Sequence, residues 1–376
     1  MSFKNLALTQ PVLAKRLSDE YEKGLIPQCV LFAGPVYSGK MTAAVELAMT
    51  ILESEGSFNT LDHSEIVIIS SRDTSVRIKA TIADFRNKRN KQSLEMMLFQ
   101  IRVFLMSFHQ SLLDSGDKSL FEKASTISDA LYEISLDMDE KKLLQKLDEI
   151  ESQAIALIEK RGGKGLFGID QIRSIQSYLM YDSSKKKCVI LENIEDVTPG
   201  AMNSILKLLE EPPQGAYIIL VSRNMGRILD TILSRVRKYQ VPEIRKDLEK
   251  AFLRDRLYAS NFDSIEDYYY HLSLFDQERL IKEADSFLDN LLSKQAPLSS
   301  TLSSLCSFLD PYSAYDRFLS RVVECVRERT LDGKISPLKA QSLITHLSAI
   351  YNESVTYNQN RRTMMERILK EVHDEQ

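Results

Sequence analysis

The chain has 376 residues, of which 43% are hydrophobic and 27% are charged, and its formal net charge is -4. This is the composition of an ordinary globular protein, and the length predicts more than one domain because single cores rarely exceed a few hundred residues. The small negative charge excludes a global attraction to nucleic acid, so any contact with DNA requires a local basic patch.

The sequence contains no apolar run near the roughly 18 residues that span a bilayer. Its opening segment, MSFKNLALTQPVLAKRLSDE, is amphipathic and lacks the apolar centre of a signal peptide. We therefore expect a cytoplasmic protein.

The four cysteines, Cys29, Cys188, Cys306 and Cys325, lie far apart, with no CxxC pair and no nearby histidine. This spacing argues against zinc or another bound metal. It favours small buried side chains in a reducing compartment.

Four apolar segments are typical of strands in a buried parallel sheet. They are QCVLFAG at 28–34, EIVIIS at 65–70, CVILEN at 188–193 and AYIILVSRN at 216–224. Helical patterns alternate with them, including TPGAMNSILKLLEEPP, in which Thr198 is the expected N-cap and Pro212 and Pro213 are the expected stop. The alternation predicts an α/β fold with a parallel sheet flanked by helices.

A helical insertion is predicted between about residues 72 and 165, where helical periodicity interrupts the alternation. It begins with the basic stretch SVRIKATIADFRNKRNK at 75–91, interpreted as a solvated helix face or as a nucleic-acid contact. It ends with RGGKG at 161–165, whose glycines suit a flexible return to the sheet. The expected domains are an α/β domain over 1–240 with this insertion, an all-helical lid over 241–295 and an all-helical C-terminal domain over 296–376.

The segment GPVYSGKMTAAVEL at 34–47 contains two glycines and a lysine at the spacing of a phosphate-binding loop, between a predicted strand and a predicted helix. Such a loop directs backbone N–H groups and the lysine ammonium at phosphates. Met41 stands where a serine or threonine would bind Mg²⁺, and a thioether is a poor ligand for a hard cation. Thr42 is turned by about 100° around the helix and does not replace that hydroxyl.

The strand at 188–193 ends in Glu192 and Asn193, where an ATPase of this kind has an Asp near the Mg²⁺ and often a Glu that orients the attacking water. With one methylene more than Asp, Glu192 could still reach a metal, but Asn193 cannot act as a general base. Glu195 and Asp196 are expected to form a solvated acidic cap. The candidate phosphate site is therefore degenerate: ATP or phosphate binding is expected to be weak, and no cofactor is required. Its residues are Gly34, Ser38, Gly39, Lys40, Thr42 and Glu192.

Three segments resemble the clamp-loader branch of the AAA+ proteins, above all the gamma/tau and delta-prime subunits of bacterial DNA polymerase III. They are GIDQIRSIQSYLM, CVILENIEDVTPGAMNSILKLLEEPPQGAYIILVSRN and ILDTILSRV. Residues 203–213 match the N-x-x-L-K-x-L-E-E-P-P segment of that family, and Ser234 and Arg235 match the start of its Ser-Arg-Cys motif, with Val236 in third place. The resemblance covers about residues 1–71 and 166–245.

The resemblance implies a subunit of the delta-prime type, because gamma/tau is the motor and delta-prime often has a degraded phosphate loop. It also implies that Arg235, next to Ser234, acts as an arginine finger on ATP bound by a neighbouring subunit. The implied partners are the gamma/tau and delta subunits, the sliding clamp and, through the complex, primed DNA. The implied role of the C-terminal domain is oligomerisation, as a collar.

Two features depart from the family: the four-cysteine zinc module is absent, and the helical insertion is not part of the usual pattern. Two alternatives stay open. One is an active gamma/tau-like ATPase, for which Lys40 and Glu192 would have to suffice for Mg-ATP. The other is a DNA-binding AAA+ protein outside replication, which would use the basic stretch from Arg77 to Lys91 and bind primed duplex without partners in a salt-dependent way.

Overall fold

The computed structural model describes most of the chain, in two compact units, Met1–Ser273 and Leu274–Gln376. The division of the chain into three domains, with boundaries at 240 and 295, stays a prediction. The described residues are 3–53, 65–70, 74–109, 112, 118–161, 169–181, 185–223, 225–273, 275–293, 299–310, 314–356 and 359–374.

A five-stranded parallel sheet forms the centre of the first unit, in the order β2-β3-β4-β1-β5. The strands are β1 Cys29–Ala33, β2 Ile66–Ser70, β3 Lys187–Glu192, β4 Ala216–Ser222 and β5 Arg237–Gln240. The first four lie within one residue of the predicted strand positions or inside them, and they confirm the predicted α/β class. β5, which pairs with β1 at the edge of the sheet, was not predicted.

The first unit contains three groups of helices. Some cover the two faces of the sheet, some form the insertion, and some come after the last strand in the chain. They are α1 Lys4–Thr9, α2 Pro11–Glu22, α3 Lys40–Ile51, α4 Ser75–Lys88, α5 Lys91–Leu105, α6 Lys118–Tyr132, α7 Glu140–Arg161, α8 Ile169–Met180, α9 Pro199–Glu210, α10 Asp230–Leu233, α11 Lys246–Ala251 and α12 Ile265–Leu272. Helices between parallel strands are required because the chain must cross back before each new strand begins.

The sheet is buried on both faces along β1–β4, which explains why these four strands are largely apolar. Alternate side chains of a strand point to opposite faces. Phe32 of β1 therefore joins the apolar cluster with residues of α1–α3, whereas its neighbour Leu31 joins the cluster with residues of α8 and α9. The carboxyl edge of the sheet is left for the loops that carry the candidate site.

The helix α9 begins and ends as its sequence predicts. The Oγ1 of Thr198 accepts a hydrogen bond from the backbone N–H of Ala201 at 3.4 Å, and Pro199 occupies the first helical position. The helix ends at Glu210, ahead of Pro212 and Pro213. Both the N-cap and the stop signal are thus confirmed.

The described residues of the insertion form the helices α4–α7 and a short 3-10 turn at Met106–Phe108, joined by turns, and none of them lies in a strand. These helices have an apolar cluster of their own, with Phe85 of α4, Ile101 of α5, Ile127 of α6 and Leu147 of α7. The insertion therefore has an independent core beside the sheet. The glycines of RGGKG, predicted to form a flexible return, lie outside the described residues.

In the second unit, the described residues form helices joined by turns and loops, and none of them lies in a strand. Its helices are α13 Gln277–Ser293, α14 Ser299–Leu309, α15 Tyr315–Leu331, α16 Pro337–Thr356 and α17 Arg361–Asp374. The rings of Phe287 on α13 and Phe318 on α15 meet edge to face, with centroids 5.4 Å apart. Such a contact favours one fixed packing of the two helices.

All four cysteines are free and buried, as expected. Burial raises the pKa of the Cys29 thiol to about 11 and raises that of Cys188 as well. Both thiols are therefore protonated at neutral pH and poorly reactive. Across the described residues, no cluster of three or more His, Cys, Asp or Glu suited to a metal is found, and no helix there is long and apolar enough to cross a membrane.

Candidate functional site

The phosphate-loop segment, residues 34–40, leads from β1 into α3. Gly39 precedes α3 with φ 94° and ψ 10°, in the left-handed region that favours glycine. A Cβ at Gly34 would lie 1.8 Å from the carbonyl oxygen of Val241. Backbone geometry therefore requires both glycines of the motif.

The ammonium of Lys40 is directed at its own loop. Its Nζ donates to the carbonyl oxygen of Gly34 at 2.5 Å and to that of Pro35, and it lies 3.5 Å from the Oγ of Ser38. Lys40 and Ser38 are both buried. The structure thus brings Gly34, Ser38 and Lys40 together around one cationic centre.

Two further residues, neither of them predicted from the sequence, hold the loop. The side-chain amide of Gln10 donates from Nε2 to the carbonyl oxygens of Ser38 at 3.0 Å and Pro242 at 2.8 Å. Tyr37, inside the loop, has a φ of 61° and stacks on the ring of Tyr269 with centroids 5.8 Å apart. A bulky residue at positive φ is uncommon, so the loop is held by more than its glycines.

Met41 is buried in the apolar cluster on the α1–α3 side of the sheet, and Thr42 is half-buried. The thioether of Met41 is thus part of the core and supplies no oxygen where a hydroxyl would bind Mg²⁺. The residues of the loop do not fit a Mg²⁺–nucleotide complex.

Glu192 ends β3 beside Ser70, the last residue of β2, because the two are register partners in the parallel sheet. The Oγ of Ser70 donates to Oε2 of Glu192 at 2.5 Å, and both residues are buried. Asn193 follows with φ 60° and ψ 51°, so the chain turns sharply away at this point. Glu192 is therefore fixed to β2, and the next position carries an amide that cannot accept a proton from water as a base would.

The prediction of a solvated acidic cap is wrong for Glu195. Its side chain is 0% exposed, and its Oε1 accepts hydrogen bonds from the backbone N–H of Arg223 at 2.8 Å and from the Nε of that residue at 3.3 Å. The turn after Asn193 places Glu195 at the end of β4, where a backbone N–H needs an acceptor. The side chain of Asp196 lies outside the described part of the chain.

Arg235 lies just after α10, with Ser234 as the C-cap of that helix. Its Nη1 donates to the carbonyl oxygen of Thr231 at 2.7 Å and to the Oγ of Ser234 at 3.2 Å, and its Nη2 donates to Oε1 of Glu210 at 2.5 Å. The side chain is 33% exposed. These bonds fix the guanidinium of Arg235 to the end of α9 and to α10 and its C-cap.

Glu210 is an acidic residue at an unfavourable place, the last residue of α9, with Glu211 as the C-cap. Acidic side chains at a helix C-terminus face the negative end of the helix dipole, which destabilises them slightly. The ion pair with Arg235 offsets that cost. The sequence offered one signal for Glu210, because this residue belongs to the matched E-E-P-P segment.

The basic stretch at 75–91 is largely engaged in the fold. On α4, Arg86 pairs through Nη2 with Asp148 at 2.5 Å and with Glu151 at 3.0 Å, both on α7. Lys88 donates to a backbone carbonyl, that of Leu257. The interpretation as a solvated face is thus wrong for these two residues, and their charges are satisfied within the molecule.

Comparison with known proteins gives one family match and several short alignments. The model of the family described as DNA polymerase III, delta subunit, matches residues 9–245. An uncharacterised protein of Mycoplasma pneumoniae is 33% identical over 86 residues, which cover 23% of this chain and 34% of that protein.

Two subunits of DNA polymerase III are also similar in part. The delta-prime subunit of Buchnera aphidicola subsp. Schizaphis graminum is 32% identical over 79 residues, covering 20% of this chain and 24% of that subunit. The tau subunit of Bacillus subtilis is 33% identical over 79 residues, covering 20% of this chain and 14% of that subunit. The chain spans about a third or less of the length of these three relatives.

Proposed function

The chain belongs to the DNA polymerase III delta-subunit family, and from that premise we propose that it is a delta-prime-like subunit of the clamp loader. It does not hydrolyse ATP itself, and it supplies Arg235 to ATP bound by a neighbouring gamma/tau-type subunit. Its other partners are the delta subunit, the sliding clamp and, through the complex, primed DNA. Its task is to help load the clamp onto primed DNA during replication, in the cytoplasm.

The observation that carries this proposal is the position of Arg235. An arginine that acts on another subunit must reach the surface and must be held in a defined orientation. Arg235 meets both conditions, because a third of its side chain is exposed and three acceptors of α9 and α10 orient its guanidinium.

The guanidinium has the right chemistry for phosphoryl transfer. Negative charge is spread over the γ-phosphate oxygens in the transition state, and a planar fork of N–H donors stabilises it with two parallel hydrogen bonds. The Nη2 of Arg235 donates to the carboxylate of Glu210, and a phosphate oxygen could take the place of this acceptor. Ser234 and Thr231 would keep Nη1 in place during that exchange.

The loop supports the second half of the proposal. Met41 is part of the core, and Asn193 replaces the carboxylate that would orient water. Lys40 and the two glycines keep the shape of the loop, so weak binding of phosphate or ATP without metal is part of the proposal.

The purified chain alone is expected to hydrolyse ATP at the background rate of the buffer, because Met41 supplies no hydroxyl for Mg²⁺ and Asn193 supplies no general base. The double variant Met41→Thr with Asn193→Glu is expected to bind a fluorescent ATP analogue at least about tenfold more tightly in the presence of Mg²⁺. Lys40→Ala in the same background is the control that should remove this gain. Turnover by the wild-type chain that Lys40→Ala abolishes would contradict the proposal.

The alternative of an active gamma/tau-like ATPase requires Lys40 and Glu192 to suffice for Mg-ATP, although Lys40 is bonded to the carbonyl oxygen of Gly34 and Glu192 to the hydroxyl of Ser70. The same turnover experiment decides between the two. The alternative of a DNA-binding protein outside replication is weakened by the pairing of Arg86 with α7.

A further inference from the structure

The helical insertion lies against the segment that follows the sheet, residues 246–272, which we call the lid segment and which includes α11 and α12. The insertion helix α4 packs along α12. Lys88, at the end of α4, donates to the carbonyl oxygen of Leu257, and its Nζ lies 5.2 Å from the centre of the Tyr268 ring. Tyr268 is buried, so this contact excludes water.

A second helix of the insertion, α5, also holds the lid segment. The Nη2 of Arg256 lies 3.0 Å from Oε2 of Glu95, and both side chains are largely buried, at 29% and 21% exposure. The hydroxyl of Tyr269 lies 3.7 Å from the sulfur of Met96. Two successive helices of the insertion therefore contact the lid segment, through ionic, polar and aromatic groups.

Arg77 extends this contact to the phosphate loop. Its guanidinium carbon lies 4.5 Å from the centre of the Tyr37 ring and 5.4 Å from that of the Tyr269 ring. The two rings stack on each other with an interplanar angle of 21°. The guanidinium of Arg77 thus makes cation–π contacts with two rings, one in the phosphate loop and one in the lid segment.

The backbone of Tyr37 indicates that the stack holds the loop in place. Its φ of 61° lies in the left-handed region, where a residue with a side chain is strained. Such strain persists only where the surrounding structure imposes it. The contacts with Arg77 and Tyr269 hold the Tyr37 ring on the side of the lid segment.

We propose that the insertion is an internal brace: through Arg77, Tyr37 and Tyr269 it couples the phosphate loop to the lid segment, so that the two open and close as one. The basic stretch then has a role inside the molecule, because Arg77 contacts the loop and the lid segment and Lys88 contacts the lid segment. The inference rests on contacts within the first unit alone and does not depend on the proposed function.

Hydrogen–deuterium exchange of the full chain tests the brace. In Tyr37→Gly, the backbone strain is relieved but the ring is lost. Amides of α12 are then expected to exchange about tenfold faster, although no residue of α12 has been changed. Arg77→Ala is expected to accelerate both α12 and residues 34–40 by a similar factor. Amides of β3 report on global stability and should keep their wild-type rates.

Two controls make the result specific. Tyr37→Phe keeps the ring and should leave α12 at its wild-type exchange rate. Arg254→Ala removes an exposed arginine of the lid segment that pairs with its neighbour Asp255, and it should also have no effect. The brace is refuted if α12 exchanges at the wild-type rate in Tyr37→Gly. It is also refuted if Arg77→Ala weakens binding to primed DNA without changing exchange in the loop or in α12, since Arg77 would then be a nucleic-acid contact.

Discussion

Replacing Arg235 with alanine is expected to abolish the stimulation of ATP hydrolysis that this chain gives to a neighbouring gamma-type subunit, and to lower turnover at that one site by about 10³-fold. The guanidinium is the only part of the side chain that can stabilise charge on a γ-phosphate, and alanine leaves nothing in its place. The complex should still assemble, because the surface ion pair with Glu210 contributes about 1 kcal/mol or less to stability.

Two matched variants define the effect. Arg235→Lys keeps the charge but loses the fork that bonds Thr231 and Glu210 at once, so it should restore only a small part of the stimulation. Arg237→Ala removes another surface arginine, 41% exposed and paired with Glu20, and should leave stimulation intact. Phosphate release with clamp and primed DNA gives the rates, and size-exclusion chromatography checks assembly. Equal losses in Arg235→Ala and Arg237→Ala would assign the effect to the local surface instead of the finger.

Replacing Gly34 with alanine is expected to destabilise the first unit by about 3 kcal/mol. The new Cβ would lie 1.8 Å from the carbonyl oxygen of Val241 and 2.9 Å from its carbonyl carbon. Neither side of this contact can yield easily, because the backbone N–H of Val241 is bonded to the carbonyl oxygen of Ala33 at 2.8 Å, which fixes the end of β1. The chain must therefore shift at the point where the phosphate loop begins.

Gly200→Ala is the matched control for this substitution. Gly200 lies in the first turn of α9, and among the described residues its Cβ would approach just Ile169 Cδ1, at 4.0 Å. That variant should be more stable than the wild type by about 0.5 kcal/mol, since alanine favours the helix. Urea unfolding followed by far-ultraviolet circular dichroism measures both. A Gly34→Ala midpoint equal to that of the wild type would show that the contact with Val241 relaxes at no cost.

The sheet could be predicted to a large extent because burial on both faces leaves an unmistakable pattern. β1 to β4 are continuous apolar runs, and each was found from that property alone. β5 was missed because it is a short edge strand whose only buried residue is Tyr239. Its other side chains are charged or polar, as is usual for an edge, so its sequence resembles a loop.

Local signals also identified the capping residues and the loop. The N-cap by Thr198 and the end of α9 before Pro212 depend on neighbours in the sequence, and both were confirmed. The need for glycine at positions 34 and 39 likewise follows from the motif. Interactions of this kind lie within a few residues, where sequence patterns are informative.

Contacts between distant parts of the chain could not be predicted. The burial of Glu195 depends on the N–H of Arg223 at the end of another strand. The cluster of Arg77, Tyr37 and Tyr269 joins the insertion, the phosphate loop and the lid segment, and no spacing rule connects them. The phosphate-loop motif places no restriction on the position of Tyr37, so only the fold identifies the partners of this ring.

The most direct test of the central claim is ATP hydrolysis by a reconstituted complex in which the phosphate-loop lysine of every gamma-type subunit is replaced, while this chain stays wild type. We expect turnover in this complex to fall to background. In a second complex, with intact gamma-type subunits and Arg235→Ala in this chain, we expect turnover to fall at the one site that faces this chain. Turnover that persists in the first complex and is removed by Lys40→Ala would contradict the account, because this chain would then hydrolyse ATP in its own loop.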